Sequence, residues 1–201
     1  NGYVPDGNDP DLELKVRKLM WYARQDKTLE YVAFEHPGIQ RVLESLLGAG
    51  PIMFQDMALV KPPFIGSEKP WHQDNAYFSV TPLDAIVGVW IALDEATPEN
   101  GCMHVQPGGH RRGALQHHHD RDCEIVPGRL ENIEAVPVPL QPGGAMFFYG
   151  MLPHQTPPNN SPERRRALQF HYRSQNSQIV SKEEYDAIYN DNGVPASCAA
   201  N

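Results

Sequence analysis

Within Trp71, His72, Gln73 and Asp74, a histidine and an aspartate stand two residues apart. On an extended chain that spacing sends both side chains to one side and Gln73 to the other, so His72 and Asp74 can grip one cation. His154 supplies a third donor, because it follows the strand expected over Ala145 to Tyr149 and the turn from Gly150 to Pro153. Two imidazoles and a carboxylate on one face of an octahedron leave three positions open, the set typical of oxygen-activating iron(II). The triplet alone is weak, since nine histidines and 25 acidic residues generate such spacings by chance. Arg165 adds weight, because it begins a strand expected to run back alongside the metal. A guanidinium there can fork onto the far carboxylate of a dicarboxylic cosubstrate whose 2-oxo-acid end chelates the iron. That is the division of labour a 2-oxoglutarate enzyme requires.

These residues need a rigid frame. Between Asp11 and Gly48 the apolar residues recur at helical intervals, first Leu12, Val16, Leu19 and Met20, then Ile39, Val42, Leu43, Leu46 and Leu47. The pattern predicts two helices broken near His36, Pro37 and Gly38. After Pro51 short β-rich runs alternate with Pro and Gly, and strands are expected at 52–60, 76–80, 86–93, 102–106, 135–138, 145–149 and 166–172. Asn100-Gly101, Pro107-Gly108-Gly109 and Pro142-Gly143-Gly144 carry hairpin-turn chemistry. Consecutive strands therefore fold back antiparallel, as in a sandwich or barrel. Residues 110–134 lack periodicity and are expected to form a long loop across the mouth, a usual place for a lid. His117, His118 and His119 fall in that loop; adjacent side chains alternate in direction and do not converge on one ion. Along the strand from Arg165, the residues Ala167, Gln169 and His171 share its face, whereas Arg166, Leu168, Phe170 and Tyr172 take the other. Polar Gln169 and His171 would then point toward the site, which needs hydrogen-bond partners there.

The run from Pro51 to His110, with QDM at 55–57, WHQD at 71–74, VWIALDEATPENGC at 89–102 and VQPGGH at 105–110, resembles the phytanoyl-CoA dioxygenase family. The run HQTPPNNSPERRRALQFHY at 154–172 is similar to the second motif block of that family. The resemblance implies an α+β, mainly β chain: a double-stranded β-helix, or jelly-roll, with flanking N-terminal helices. It implies iron(II) held by His72, Asp74 and His154, and 2-oxoglutarate anchored by Arg165 between walls that include Met57 and Trp90. Lys18 is the candidate for a basic residue assisting from the N-terminal helical region. The cofactor set is then Fe(II), 2-oxoglutarate and O2, with ascorbate as a stimulant, and the reaction is hydroxylation of a small organic substrate. The subgroup most resembled is the phytanoyl-CoA dioxygenase domain-containing type, so an acyl-CoA substrate is not implied. Trp90 also fits an ordinary core position, which is compatible with a pocket wall.

Two rival functions share the triad. A zinc-dependent hydrolase or cupin isomerase would use it to activate water but has no need of Arg165; a non-catalytic jelly-roll would keep it as a relic. The 201 residues fit one domain, with a helical flank at about 11–48, a β core at about 51–173 and a C-terminal helix or tail at about 181–201. A formal charge of -8, with Arg164 to Arg166 as the one basic run, argues against a nucleic-acid partner. No long apolar run or signal-like start is present, so the expectation is a soluble, intracellular, cytoplasmic chain with a small-molecule partner. The chain opens on Asn1, from which an N-terminal portion is expected to be missing. Cys102, Cys123 and Cys198 are odd in number and far apart, and ordinary thiols are expected.

Overall fold

The computed structural model describes residues 11–119, 122–130, 134–189 and 198. The first elements are α1 (Leu12–Lys15), β1 (Lys18–Met20), α2 (Lys27–Phe34), α3 (Pro37–Leu47), β2 (Ile52–Lys61), β3 (Lys69–His72), β4 (Val80–Thr81) and β5 (Ile86–Ala92). Then come β6 (Met103–Val105), β7 (His117–His119), β8 (Cys123–Ile125), β9 (Val136–Val138), β10 (Ala145–Tyr149), β11 (His154–Thr156), β12 (Arg165–Arg173), β13 (Gln178–Ile179) and α4 (Lys182–Tyr189). The chain is mostly β with a few helices, an α+β arrangement as expected. Among the described residues no helix is long and apolar enough to cross a membrane.

A five-stranded antiparallel sheet runs in the order β1-β2-β12-β5-β10, and a four-stranded one in the order β3-β11-β6-β9. Every residue of β5 is buried, which its unbroken apolar sequence requires of a strand covered on both faces. Val87, Val89 and Ile91 meet the helices on one side; Trp90 and Ala92 meet Met103 and Val105 of the second sheet on the other.

α3 closes the outer face. His36 accepts a hydrogen bond from the Ile39 amide, Pro37 occupies the first turn, and Gly48 (φ 83°) ends the helix. Ile39, Leu43 and Leu47, four apart, form one buried stripe that shares a core with Val87, Val89 and Ile91 of β5 and with Leu168, Phe170 and Tyr172 of β12. Burying each of the three contributes roughly 1.5–3 kcal/mol. Tyr172 also donates its hydroxyl to Ala33 O at 2.6 Å, tying β12 to α2.

Several expectations are corrected. The first apolar series does not form a helix: α1 is four residues long, and Lys18 to Met20 instead add an edge strand to β2. The Asp56 carboxylate fixes this path by accepting from the Trp21 and Ala23 amides, each at 2.6 Å. Lys18 therefore sits on a strand, not a helix. Residues 76–80 are not one strand, since Asp74–Tyr77 is a 3-10 turn whose Ala76 carbonyl is taken by the Tyr185 hydroxyl, leaving only β4. The segment 110–134 is not structureless: β7 and β8 pair within it, and the histidine tract forms β7. Cys123 of β8 and Cys198 form a disulfide across 75 residues; Cys102 is a buried free thiol. Of the expected C-terminal helix or tail, α4 is described, and the rest apart from Cys198 lies outside the described residues.

Candidate active site

His72 ends β3, Asp74 opens the 3-10 turn, and His154 begins β11, paired directly across from His72. All three are buried, and one donor atom from each lies within 4.8 Å of the others. Asp74 Oδ1 is 3.4 Å from His72 Nε2 and 3.6 Å from His154 Nε2. Both histidines carry their proton on the far nitrogen, because His72 Nδ1 faces Pro70 O at 2.7 Å and His154 Nδ1 faces Leu152 O at 2.9 Å. Each thus directs its Nε2 inward. Burial, then the neighbouring His154, pushes His72 down to about 3, so it is neutral at ordinary pH. Two imidazole Nε2 atoms and a carboxylate oxygen therefore converge on one point. Such a donor set fits a divalent cation.

The second carboxylate oxygen is occupied. Asp74 Oδ2 meets His171 Nε2 at 2.8 Å and Gln169 Nε2 at 3.3 Å. Burial alone would raise the Asp74 carboxyl, but His154 and His171 outweigh it and hold the group well below the carboxylate range. Gln73, pointing away as expected, is fully buried and works on the backbone. Its amide nitrogen donates to Gly113 O and Met151 O, and its oxygen accepts from the Leu115 amide. Its own backbone N–H is taken by His117 Nε2 at 3.0 Å. His117 is thus a brace for the segment between His72 and Asp74.

A cavity of about 410 Å³ lies between the two sheets, and the triad is part of its wall. Arg165, Trp90, Met57 and Lys18 line the same space. Arg165 is 1% exposed, yet its Nε and Nη1 have no hydrogen-bond partner among the described residues. Its guanidinium carbon is 5.4 Å from the centre of the Trp90 ring. Burial pushes Arg165 down only to about 10, so it stays charged at neutral pH. A buried guanidinium with two unmet donors is costly unless an anion occupies the space before it. Arg166, by contrast, turns to the opposite face and grips Asp94 through two contacts of 2.9 Å, and Arg164 is half-exposed. The alternation expected along β12 is the one observed.

Residues 6–167 match the family described as Phytanoyl-CoA dioxygenase (PhyH). The chain belongs to the phytanoyl-CoA dioxygenase family. It is 31% identical over 157 residues to "Phytanoyl-CoA dioxygenase domain-containing protein 1" of Danio rerio, an overlap of 74% of this chain and 54% of that protein. It is 34% identical over 152 residues to "Methylphosphonate hydroxylase" of Gimesia maris, covering 71% and 56%. The chain spans about half the length of the curated relatives it matches. Among solved structures, EvdO2 from Micromonospora carbonacea var. aurantiaca, complexed with 2-oxoglutarate, superposes with a TM-score of 0.65 at 29% identity, covering 82% of this chain and 69% of that one. The run quoted at 51–110 lies inside the matched span, and the run at 154–172 lies inside it as far as residue 167.

Other cavity residues carry no sequence signal. Lys61 is paired with Arg165 across β2 and β12, and its ammonium donates to Ser67 O at 2.7 Å, Thr156 O at 3.0 Å and Pro157 O. Burial, then the charge of Arg165, pushes it down to about 6. Arg17, Lys69 and Asp122 meet at the mouth although β1, β3 and β8 are far apart in sequence. Only their types, which are ordinary surface types, are visible in the chain.

Proposed function

We propose that this chain is an Fe(II)- and 2-oxoglutarate-dependent dioxygenase that hydroxylates a small organic substrate, built as one double-stranded β-helix domain. The observation that carries this reading is Arg165, a buried cation with two nitrogens unpartnered among the described residues, in the same cavity as His72, Asp74 and His154. A metal hydrolase or isomerase needs the triad but not that cation.

In this assignment His72 Nε2, His154 Nε2 and Asp74 Oδ1 hold the iron, while Arg165 receives the far carboxylate of 2-oxoglutarate. When bound, the pair supplies oxidative decarboxylation of 2-oxoglutarate to succinate and carbon dioxide, coupled to hydroxylation of a substrate carbon. His171 and Gln169 hold Oδ2 of Asp74, which keeps Oδ1 directed at the metal position. Trp90 and Met57 provide apolar walls that strengthen the grip of Arg165 by excluding water. Lys18 stands at the rim with β1. Support from relatives is of the same kind, since one is described as a hydroxylase and another solved structure holds 2-oxoglutarate.

Purified protein incubated with Fe(II), ascorbate and 2-oxoglutarate labelled at its C1 carboxylate should release labelled carbon dioxide. Release should require the metal and fall to background in His72→Ala and Asp74→Ala. Hydrolysis without carbon dioxide, or carbon dioxide release indifferent to these substitutions, would overturn the assignment.

A further inference from the structure

The mouth of the cavity has its own charge pattern, opposite in sign to the chain as a whole. Asp122, immediately before β8, places its two carboxylate oxygens on two different cations. Oδ2 lies 2.8 Å from Arg17 Nη2, and Oδ1 lies 2.9 Å from Lys69 Nζ. Arg17 also donates to Glu68 O at 3.1 Å, and Lys69 Nζ meets the Tyr77 hydroxyl. Lys18 lines the same mouth and meets no carboxylate among the described residues. Among the described lining residues of the mouth, Arg17, Lys18 and Lys69 therefore face the carboxylate of Asp122. Lys61 is left out of that comparison because its nitrogen is committed to three carbonyl oxygens. The formal charge of the chain is -8, so a cationic mouth is not a by-product of a basic protein. A cleft lined by one sign of charge focuses its field and draws oppositely charged small molecules in.

From this juxtaposition we infer that the substrate carries a compact oxyanion, a carboxylate or a phosphoryl-type group. Arg17 and Lys69 bind it in the place now held by the Asp122 carboxylate. The inference rests on the proposal that the cavity is an oxygenase active site. It adds the class of substrate. Asp122 acts as an internal stand-in: it shows that the two cations can seat two oxygens of one anionic group, and it competes with the incoming one. The remaining positive charge, Lys18 included, favours an anion even after Asp122 has been counted. Arg165 does not take part, because it lies deep in the cavity and is assigned to the cosubstrate.

The contacts are partly exposed, so each should change affinity by a modest factor and weaken with salt. The test is calorimetric titration of inorganic phosphate, and separately of acetate, into the full chain at low ionic strength. Arg17→Gln and Lys69→Gln should weaken phosphate about threefold or more. Asp122→Asn should tighten it by about as much, because the competing carboxylate is gone. Excess 2-oxoglutarate, which fills Arg165 under the proposed assignment, is present throughout, so that the phosphate signal reports the mouth. A purely structural role for Asp122 gives the opposite sign, so a weaker Asp122→Asn overturns the proposal. Circular dichroism melts of each variant separate loss of the site from loss of the fold.

A second arm compares small carboxylates and phosphonates with their amides and esters as stimulants of succinate formation. The anions should stimulate and the neutral analogues should not; equal stimulation overturns the proposal. Formation of the Fe(II)-2-oxoglutarate absorption band without air is scored independently. If the band forms and phosphate does not bind, the anion site falls while the oxygenase assignment stands. If phosphate behaves as stated and no band forms, the anion site stands alone.

Discussion

Replacing Arg165 with alanine removes a side chain that is 1% exposed and whose two unmet donors face the cavity. With 2-oxoglutarate bound, its far carboxylate would lose its only buried guanidinium and keep most of its desolvation cost. Breaking a buried charge pair costs roughly 3–5 kcal/mol, and the open mouth admits some water, so the lower part of that range applies. About 3–4 kcal/mol corresponds to a loss of two to three powers of ten in 2-oxoglutarate affinity. Arg165→Lys should recover part of this, since the charge remains but the fork is lost. Anaerobic titration followed through the metal-to-ligand absorption band measures these affinities, and iron binding measured separately should be unchanged because no donor is removed. Arg166→Ala breaks a partly exposed pair with Asp94 on the opposite face, and Arg164→Ala touches a half-exposed side chain, so both should stay within about threefold of the parent. If either of these loses affinity while Arg165→Ala keeps it, the inward face of β12 has been assigned to the wrong residues.

Three further outcomes follow from the packing around the triad. Burial pushes His117 down from its ordinary 6.5 to about 4, so the folded chain stays unprotonated there while the unfolded chain takes up a proton below pH 6.5. Stability from this group is full above 6.5 and is lost as pH falls toward 4, by about 3 kcal/mol in all. Urea denaturation across that range should show a slope shallower by up to one proton in His117→Asn, and an unchanged slope would refute the assignment. A β-carbon at Gly88 would stand 2.6 Å from the Phe148 ring, which packs on His154 at 4.8 Å between centroids. Gly88→Ala should therefore cost about 1–3 kcal/mol and weaken iron binding, read by chemical denaturation and metal titration. Tyr172→Phe leaves the buried Ala33 carbonyl without its 2.6 Å partner and should lower stability by about 1–2 kcal/mol with little effect on the absorption band.

The parts of this structure legible in the sequence are those with a period. Leu168, Phe170 and Tyr172 alternate with Ala167, Gln169 and His171, and the alternation placed polar groups inside because both faces of β12 are covered. The triplet at 72–74 was legible for the same reason, as was the stripe on α3. What was hidden depends on contacts between distant segments. Leu12, Val16, Leu19 and Met20 have helical spacing, yet an open edge on β2 and the grip of Asp56 on Trp21 and Ala23 outweigh local preference. The β7–β8 hairpin has three residues per strand, too few to display alternation. The Cys123–Cys198 pairing and the cluster of Arg17, Lys69 and Asp122 each join residues whose spacing carries no signal at all.

β12 carries Arg165 at its first position and Gln169 and His171 farther along the same face, so it works as a ruler. Under the proposed assignment it sets how far the cosubstrate clamp lies from the clamp on the metal carboxylate. A strand ruler is graduated coarsely: inserting one residue turns every later side chain to the other face, and inserting two moves the marks by roughly 6.6–6.8 Å. Lengthening a dicarboxylate by one carbon adds less than about 1.5 Å. No insertion in β12 can match that step, and its pairing with β2 on one side and β5 on the other resists a slip of register. Acceptance of a longer or shorter 2-oxo acid must then be gained through side chains at the cavity end, and the backbone that measures the distance stays as it is.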